Sequence, residues 1–266
     1  MQEPTARQIF EELGAEVDIL FDRPDGVNIN ENCGSTHMEA LAEYVRTNGL
    51  HAGIAFDGDA DRCLAVDETG ALIDGDRIMA ICATDLAERG RLAKKTVVGT
   101  VMTNMGFARF CEENGMRFLA TKVGDRFVLE EMLLEDVGFG GEQSGHIIFR
   151  DFATTGDGQL TAAQLLSLMR RKQKPLSELA SVMKTYPQIT HNLPVSPEGK
   201  LHFYTNEAVR EAIERAKTEL GRNGRIVVRP SGTEPYLRVM VEGEDEAEIA
   251  RVAGEVAEVV LAQLGS

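Results

Sequence analysis

The sequence has no tryptophan, few aromatic residues and a shortage of basic residues, and each shortage excludes a class of function. Phe and Tyr make up 6% of the 266 residues, too few for the aromatic platforms on which single-stranded nucleic acids stack. The 28 Lys and Arg are outnumbered by 43 Asp and Glu, giving a net charge of -15. Nucleic acids and anionic membranes repel such a chain. We therefore expect neither as a partner, and an anionic ligand requires a local cluster of cations.

Long hydrophobic runs and paired cysteines are also missing. No stretch reaches the ~18 apolar residues of a membrane-spanning helix, and the first residues do not resemble a secretory signal. The four cysteines lie far apart, with no C-x-x-C pair. This spacing favours reduced thiols over disulfides or a zinc site, so we expect a cytoplasmic protein.

What is present is an alternation of helical and strand-like patterns. A helix with a Thr5–Gln8 capping box precedes a strand at Val17–Phe21, and a second capping box, Thr36–Glu39, precedes another helix and the strand Gly53–Phe56. Similar alternation continues to about residue 185. This pattern is typical of α/β proteins and predicts a mainly parallel sheet.

The pattern changes after a proline-containing stretch, Tyr186–Lys200, which marks a domain boundary. Beyond it a long helix at 206–220, strands at Ile226–Arg229 and Leu237–Glu242, and a last helix from Asp245 predict a small α+β domain. The chain is long enough for two ordinary domains.

The most informative segment is a short acidic loop with the sequence Asp57-Gly58-Asp59-Ala60-Asp61-Arg62. Three carboxylates at alternate positions repel one another unless a cation holds them, and hard cations such as Mg²⁺ and Ca²⁺ prefer oxygen ligands. Arg62 adds a fixed positive charge, which suits a phosphoryl group shared with the metal. The alternative is an acidic turn between two strands.

An EF-hand also begins with acidic residues at these spacings, but two features exclude it. Its sixth position requires Gly for a sharp bend, and here that position is Arg62. Both flanks are strand-like, whereas an EF-hand is flanked by helices. We therefore predict a loop at the end of a strand that holds one divalent cation.

A second segment, Gly140-Gly141-Glu142-Gln143-Ser144-Gly145-His146, combines glycines with three kinds of polar side chain. Its order differs from the G-x-S-x-G of serine hydrolases, so a nucleophilic Ser144 is not expected. Glu142 and Ser144 are suited to binding sugar hydroxyls. The alternatives are a tight turn before a strand and, for His146 alone, a structural histidine.

A third segment, Arg229-Pro230-Ser231-Gly232-Thr233-Glu234-Pro235, is followed by Arg238. Backbone N–H groups, hydroxyls and a guanidinium together form a good phosphate site, and the alternative is a proline-bounded hairpin. Two weaker segments, Asn32–His37 and Lys122–Arg126, fit structural roles better than catalytic ones on spacing alone.

In this order the three segments resemble the α-D-phosphohexomutase superfamily, and Gln143 favours the branch that acts on glucosamine phosphates. We call 57–62 the cation loop, 141–146 the sugar loop and 229–235 the phosphate loop. The resemblance covers essentially the whole chain. It implies mixed-sheet α/β domains followed by a small α+β domain: a partial second domain at 1–73, a third domain at 74–186 and a fourth at 187–266.

The resemblance also implies an isomerase that interconverts glucosamine 6-phosphate and glucosamine 1-phosphate through a phosphoserine and a bisphosphate intermediate. Hexosamine phosphate is then the substrate and Mg²⁺ the cofactor. The implied residues are, for metal binding, Asp57, Asp59 and Asp61; for catalysis, Arg62, Lys122 and His146; and for substrate binding, Glu142, Ser144, Arg229, Ser231, Gly232, Thr233 and Arg238. Phosphomannomutase and phosphoglucomutase of the same superfamily are alternatives.

The superfamily carries its phosphoserine in a Ser-His-Asn segment of a first domain, and these 266 residues contain no such segment. We therefore interpret the chain as a C-terminal fragment that is inactive alone. A non-catalytic protein that binds Mg²⁺ and sugar phosphate is the alternative. Apolar surface left uncovered on the partial domain predicts self-association, for example as a homodimer, or lowered stability.

Overall fold

The computed structural model describes residues 3–23, 25–232 and 234–265. They form two compact units. The first contains the residues up to 103 together with 107–184, and the second contains 104–106 together with the residues from 185 onward.

The first unit opens with two helices and a three-stranded antiparallel sheet: α1 (Glu3–Glu12), α2 (Glu39–Asn48), β1 (Ala52–Phe56), β2 (Cys63–Asp67) and β3 (Leu72–Ile73), in the order β1-β2-β3. Phe56 pairs with Cys63, so the cation loop is the turn of a hairpin. A turn this short cannot make the crossover that a parallel pair needs. The prediction of mainly parallel pairing is therefore wrong in this sheet.

Three local predictions near the start of the chain are also wrong. Residues 17–21 form no strand, and their side chains are exposed or half-buried, because no neighbouring strand takes up their backbone hydrogen bonds. Thr5 lies inside α1 and caps nothing at its start. The N-cap of α2 is Met38, without a side-chain hydrogen bond, because Thr36 belongs to the preceding turn, in which His37 N–H donates to Gly34 O.

The rest of the first unit is built on a four-stranded mixed sheet. Parallel pairs join β4 to β5 and β6, and an antiparallel pair joins β6 to β7, giving the order β5-β4-β6-β7. This confirms the mixed-sheet α/β class. The elements that follow β3 are α3 (Gly75–Glu88), a 3₁₀ turn (Ala93–Lys95), β4 (Thr96–Thr100), α4 (Met105–Glu113), β5 (Arg117–Thr121), α5 (Asp125–Leu134), β6 (Phe139–Gly141), β7 (Ile147–Phe149), α6 (Gly158–Lys172) and α7 (Leu176–Ala180).

Apolar side chains of α3, α4, β6 and α6 contribute to the core of the first unit. Ile78, Phe107, Phe139 and Leu165 are each at most 1% exposed. Burying a side chain of this size contributes about 1.5–3 kcal/mol. The N-terminus of α3 lies beneath the sugar loop, because Gly75 N–H donates to Gln143 O at 3.0 Å.

The second unit is a three-stranded antiparallel sheet with helices, in the order β8-β10-β9. Its elements are β8 (Gln188–Pro194), α8 (Pro197–His202), α9 (Glu207–Leu220), β9 (Gly224–Pro230), β10 (Tyr236–Gly243) and α10 (Glu246–Leu264). Asn206 and Asp245 cap α9 and α10 with their side chains, at the starts that the sequence predicts. The small α+β domain is thus confirmed, with β8 as an additional strand.

Two further properties concern the described residues as a whole. None of the described helices combines the length and the apolar character that crossing a membrane requires. The four cysteines are free thiols, and burial raises the pKa of Cys82 and Cys111 to about 12. These two thiols are therefore unreactive at neutral pH.

Candidate functional site

The cation loop brings its three carboxylates together at the end of the β1–β2 hairpin. One oxygen each of Asp57, Asp59 and Asp61 lies within 4.8 Å of the others. The loop bends at Ala60, which has a φ of 60°. Among the described residues Asp61 Oδ1 is buried without a hydrogen-bond partner. A cluster of carboxylate oxygens with one buried oxygen unpaired fits a hard divalent cation such as Mg²⁺.

Arg62 closes this loop and partly compensates its charge. Its Nε lies 3.7 Å from Asp57 Oδ2 and 3.8 Å from Asp61 Oδ1. Its backbone N–H donates to Asp57 Oδ1 at 3.2 Å. The side chain is 45% exposed, so the guanidinium can still reach a ligand held beside the carboxylates.

The sugar loop is a tight turn between β6 and β7. Glu142 N–H donates to His146 O, and Gly145 N–H donates to Glu142 O, both at 2.9 Å. The Glu142 carboxylate accepts the N–H of Gly124 at 3.0 Å, which attaches the turn before α5 to the sugar loop. Ser144 is exposed at the tip of the loop.

Gln143 has a local partner. Its side chain hydrogen-bonds to Asp74, the N-cap of α3. Burial raises the pKa of the Asp74 carboxyl, and the hydrogen bonds that it accepts oppose that rise. Gln143 thus ties the sugar loop to α3, a role that its residue type alone does not reveal.

Of the residues predicted to be catalytic, His146 lies beside the cation loop, whereas Lys122 does not contact that loop in the part of the chain that the structure describes. His146 pairs with Arg62 through the backbone as an antiparallel bridge, and its Nε2 lies 3.7 Å from Asp61 Oδ2. Lys122 is exposed, with its Nζ 5.9 Å from the centre of the Phe127 ring. Among the contacts of the described residues, none joins Lys122 to the cation loop.

The phosphate loop lies in the second unit, between β9 and β10. Arg229 and Arg238 are directly opposite each other in the strand register, and the Nε of each is buried without a partner among the described residues. Burial, and then the charge of Arg238, lowers the pKa of Arg229. Arg238 also forms an ion pair with Glu234. Two neighbouring guanidinium groups favour binding of an anion such as a phosphate.

Of the remaining residues in this loop, Ser231 is buried and Gly232 is exposed. The Ser231 hydroxyl accepts the N–H of Glu234 at 3.2 Å, which keeps the turn compact. Thr233, predicted to bind the same phosphate, lies outside the described residues.

Sequence reasoning missed Lys200, which lies outside the phosphate loop but contacts it. Its Nζ donates to the backbone carbonyls of Ser231, at 2.8 Å, and of Glu234. It belongs to α8, 31 residues before Ser231, and no local pattern connects the two. In the sequence, Ser196 and Pro197 indicate that a helix containing Lys200 begins there. They do not indicate that this helix contacts the phosphate loop.

Three family models match the chain one after another: phosphoglucomutase/phosphomannomutase alpha/beta/alpha domain II at 1–70, alpha/beta/alpha domain III at 74–186, and the C-terminal domain at 169–259. Together they cover nearly the whole sequence. The chain belongs to the phosphoglucomutase/phosphomannomutase family. The matched ranges are close to the three domains predicted from the resemblance, whereas the contacts group the chain into two units.

Within the phosphoglucomutase/phosphomannomutase family, the chain is similar to proteins named phosphoglucosamine mutase. It is 55% identical over 257 residues to the protein of Symbiobacterium thermophilum, which covers 97% of this chain and 57% of that protein. It is 51% identical to the protein of Streptococcus suis, over 98% of this chain and 58% of that one. The chain therefore spans a little over half the length of these curated relatives.

Two solved structures share the fold of this chain. A phosphoglucomutase/phosphomannomutase family protein of Burkholderia thailandensis superposes with a TM-score of 0.79 at 24% identity, over 98% of this chain and 58% of that one. An N-acetylphosphoglucosamine mutase of Aspergillus fumigatus, solved with GlcNAc-6P and magnesium, gives 0.79 at 21% identity, over 100% of this chain and 60% of that one.

Proposed function

We propose that this chain carries the cation, sugar and phosphate loops of an isomerase that interconverts glucosamine 6-phosphate and glucosamine 1-phosphate with Mg²⁺. The observation that carries the proposal is the convergence of three carboxylates and Arg62 at the hairpin turn that adjoins the sugar loop. Identity of 50–55% to proteins named phosphoglucosamine mutase favours glucosamine phosphate over mannose or glucose phosphates as the substrate.

In this proposal Asp57, Asp59 and Asp61 hold the cation. When bound, Mg²⁺ neutralises charge on the oxygens of a transferring phosphoryl group. Arg62, which lies within 4 Å of two of the carboxylates, contributes a second positive charge to the same oxygens. Both effects stabilise the charge that develops in phosphoryl transfer.

Glu142 and Ser144 bind the sugar hydroxyls. One oxygen of Glu142 accepts the Gly124 N–H, and the other remains available for a hydroxyl donor. Gly124 lies two residues after Lys122, so the same bond attaches the backbone of the segment that carries Lys122 to the sugar loop. In this proposal Lys122 donates a proton as the ammonium or accepts one as the neutral amine.

Arg229, Ser231, Gly232, Thr233 and Arg238 bind the phosphate that does not react. Fixing one phosphate far from the reacting group orients the sugar, which lowers the entropic part of the barrier. The pKa of Arg229 is lowered mainly by burial and then by the charge of Arg238. The negative charge of a bound phosphate stabilises the charged guanidinium and so opposes both effects.

Calorimetric titration of the chain with glucosamine 6-phosphate, glucose 6-phosphate and mannose 6-phosphate in Mg²⁺ tests the proposal. We expect the first to bind most tightly. Arg229→Met should weaken its binding about ten- to hundred-fold, since a hydrogen bond to a charged group contributes about 1.5–3 kcal/mol. A preference for mannose 6-phosphate, or equal binding by Arg229→Met, would contradict the proposal.

A coupled mutase assay with a hexose bisphosphate activator separates catalysis from binding. The 266 residues contain no Ser-His-Asn segment, so we expect this chain to bind the sugar phosphate without turning it over. Turnover would show that a group within the 266 residues accepts the phosphoryl group. If a longer protein that contains these loops also binds the sugar phosphate without turning it over, the non-catalytic alternative is favoured.

A further inference from the structure

The Lys200 side chain is bound to the backbone of the phosphate loop. Its ammonium donates to Ser231 O at 2.8 Å and to Glu234 O. The two carbonyls lie on either side of residues 232 and 233, so a single side chain bridges the base of the turn. The Glu234 carboxylate pairs with Arg238, so it is the carbonyl of this residue that binds the lysine.

The hydrogen bond to Ser231 O determines the direction of the next N–H. The described residues contain no cis peptide bond, and in a planar trans peptide the C=O and the following N–H point in opposite directions. Because Ser231 O points toward Lys200, the Gly232 N–H points away from α8. Gly232 is exposed, so this N–H is directed to the side of the turn that a ligand can approach.

The other N–H groups of the turn are already used. Ser231 N–H donates to Tyr236 O, and Tyr236 N–H donates to Glu234 O, both at 2.9 Å. Glu234 N–H donates to the Ser231 hydroxyl at 3.2 Å, and the two prolines of the loop have no N–H. Within the part of the loop that the structure describes, the Gly232 N–H has no acceptor. It is therefore the backbone donor available to an anion.

Helix α8, which carries Lys200, is attached to its own unit at two other points. Val195 N–H, just before the helix, donates to Pro235 O at 3.0 Å. A Cβ on Gly199 would lie 2.6 Å from Leu264 O, so the helix backbone packs directly against the end of α10. These contacts fix the position of the helix, and Lys200 connects that position to the turn.

We propose that Lys200 is a positioning residue for the phosphate loop: it orients the Gly232 N–H toward the phosphate that Arg229 and Arg238 bind. Lys200 acts through the peptide group between Ser231 and Gly232 and not by contact with the ligand. The inference rests on the proposed function, because the phosphate is the non-reacting one of that proposal. An N–H that donates to a phosphate forms a charge-assisted hydrogen bond, so its orientation affects the affinity.

Calorimetric titration of the 266-residue chain with inorganic phosphate tests the positioning role. Lys200→Met should raise the Kd about ten-fold, as loss of one charge-assisted hydrogen bond does. Lys200→Arg supplies N–H donors to both carbonyls and should keep the Kd close to that of the unaltered chain. Lys217→Met, in the exposed ion pair with Glu214, removes the same charge from the same unit and should leave the Kd unchanged. No weakening by Lys200→Met, or equal weakening by Lys217→Met, would overturn the inference.

Residual dipolar couplings measure the orientation of the Gly232 N–H bond before any phosphate is added. Lys200→Met should change this coupling and leave the couplings of β9 and β10 unchanged, and Lys200→Arg should restore it. Gly232→Ala identifies the signal, because a Cβ there would meet no described atom within 4 Å. If the coupling is the same in Lys200→Met and in the unaltered chain, the inference is overturned even where the Kd rises, since the lysine then acts by charge or direct contact.

A phosphate titration of the unaltered chain, followed by nuclear magnetic resonance, does not depend on whether a variant folds. The Gly232 amide proton should move downfield as phosphate binds, and an amide signal that does not respond at saturation overturns the inference. Arg229→Met separates this failure from that of the proposed function. If Arg229→Met binds phosphate as tightly as the unaltered chain, the proposed phosphate site is wrong. If Arg229→Met binds weakly and Lys200→Met binds normally, only the role of Lys200 is wrong.

Discussion

Glu242 shows how much a single residue can contribute without any sign in its local sequence. The carboxylate is fully buried and accepts hydrogen bonds from Asn104 Nδ2 at 3.1 Å and from Met105 N–H at 3.2 Å. It also pairs with Arg225. Burial raises the pKa of Glu242, and the charge of Arg225 opposes that rise. In the sequence it is one of 43 acidic residues.

This pKa shift predicts a pH-dependent stability. The pKa of Glu242 in the folded state lies above its ordinary value of 4.5, so the folded state binds the proton more tightly than the unfolded state. Its contribution to stability is fully present below that ordinary value and is lost as pH rises through the folded pKa. Relative to Glu242→Gln, the unaltered chain should therefore lose unfolding free energy over this window.

Urea unfolding of both proteins, from about pH 4 to pH 8, measures the effect. The exposed Glu258→Gln corrects for the loss of one negative charge. If the unfolding free energies of the unaltered chain and of Glu242→Gln change in parallel with pH over the whole range, the prediction is contradicted.

At the same scale, the sequence predicts some site residues much better than others. The carboxylates of Asp57, Asp59 and Asp61 are close in space because they are close in the chain, so spacing and residue type suffice. The contacts of His146 with Gly156 and of Lys200 with the phosphate loop depend on the tertiary fold. No periodic pattern in the sequence indicates these contacts.

At the scale of elements, long helices were predictable and irregular or proline-bounded segments were not. Helix α9 covers Glu207–Leu220 after its Asn206 N-cap, in agreement with the predicted helix at 206–220. Strand β8 was missed because Pro187 and Pro194 resemble a linker. A proline is tolerated at the end of an edge strand, and β8 is at the edge of its sheet with Pro194 as its last residue.

Helix α3 predicts a defined effect on the sugar loop. Gly75 is its first residue, and a Cβ there would lie 2.1 Å from Glu142 O and 2.8 Å from Gln143 O. Gly75→Ala should therefore displace the loop, lowering both the melting temperature and the affinity for glucosamine 6-phosphate. Calorimetric unfolding and titration measure the two effects.

Gly254 in α10 provides the matched control, since among the described residues no atom beyond its own turn of helix lies within 4 Å of a Cβ placed there. Gly254→Ala should stabilise the chain by about 0.5–1 kcal/mol, because alanine loses less conformational entropy in a helix. It should leave sugar-phosphate binding unchanged. Equal effects of the two substitutions would show that the loop is not held by α3.

At the scale of the whole molecule, the acidic chain concentrates basic side chains at the loop that we propose binds a phosphate. A net charge of -15 repels phosphate esters in general. Arg229, Arg238 and Lys200 nevertheless meet at or behind one loop of the second unit. In the first unit three carboxylates, those of Asp57, Asp59 and Asp61, instead cluster in one hairpin turn, where they repel an anion until a cation is bound.

This distribution predicts that two ligands protect different parts of the chain from amide hydrogen exchange. Mg²⁺ should slow exchange in the cation loop and at Gly158, whose N–H donates to Ala60 O, whereas inorganic phosphate should slow exchange in the phosphate loop. Stabilisation by a ligand grows as RT ln(1 + [L]/Kd), about 2.7 kcal/mol at a hundred times the Kd. Asp59→Ala should abolish the first protection and leave the second intact. Mg²⁺ protection that survives Asp59→Ala would mean that the cation binds elsewhere, and phosphate protection confined to the first unit would mean that the arginine pair is not its site.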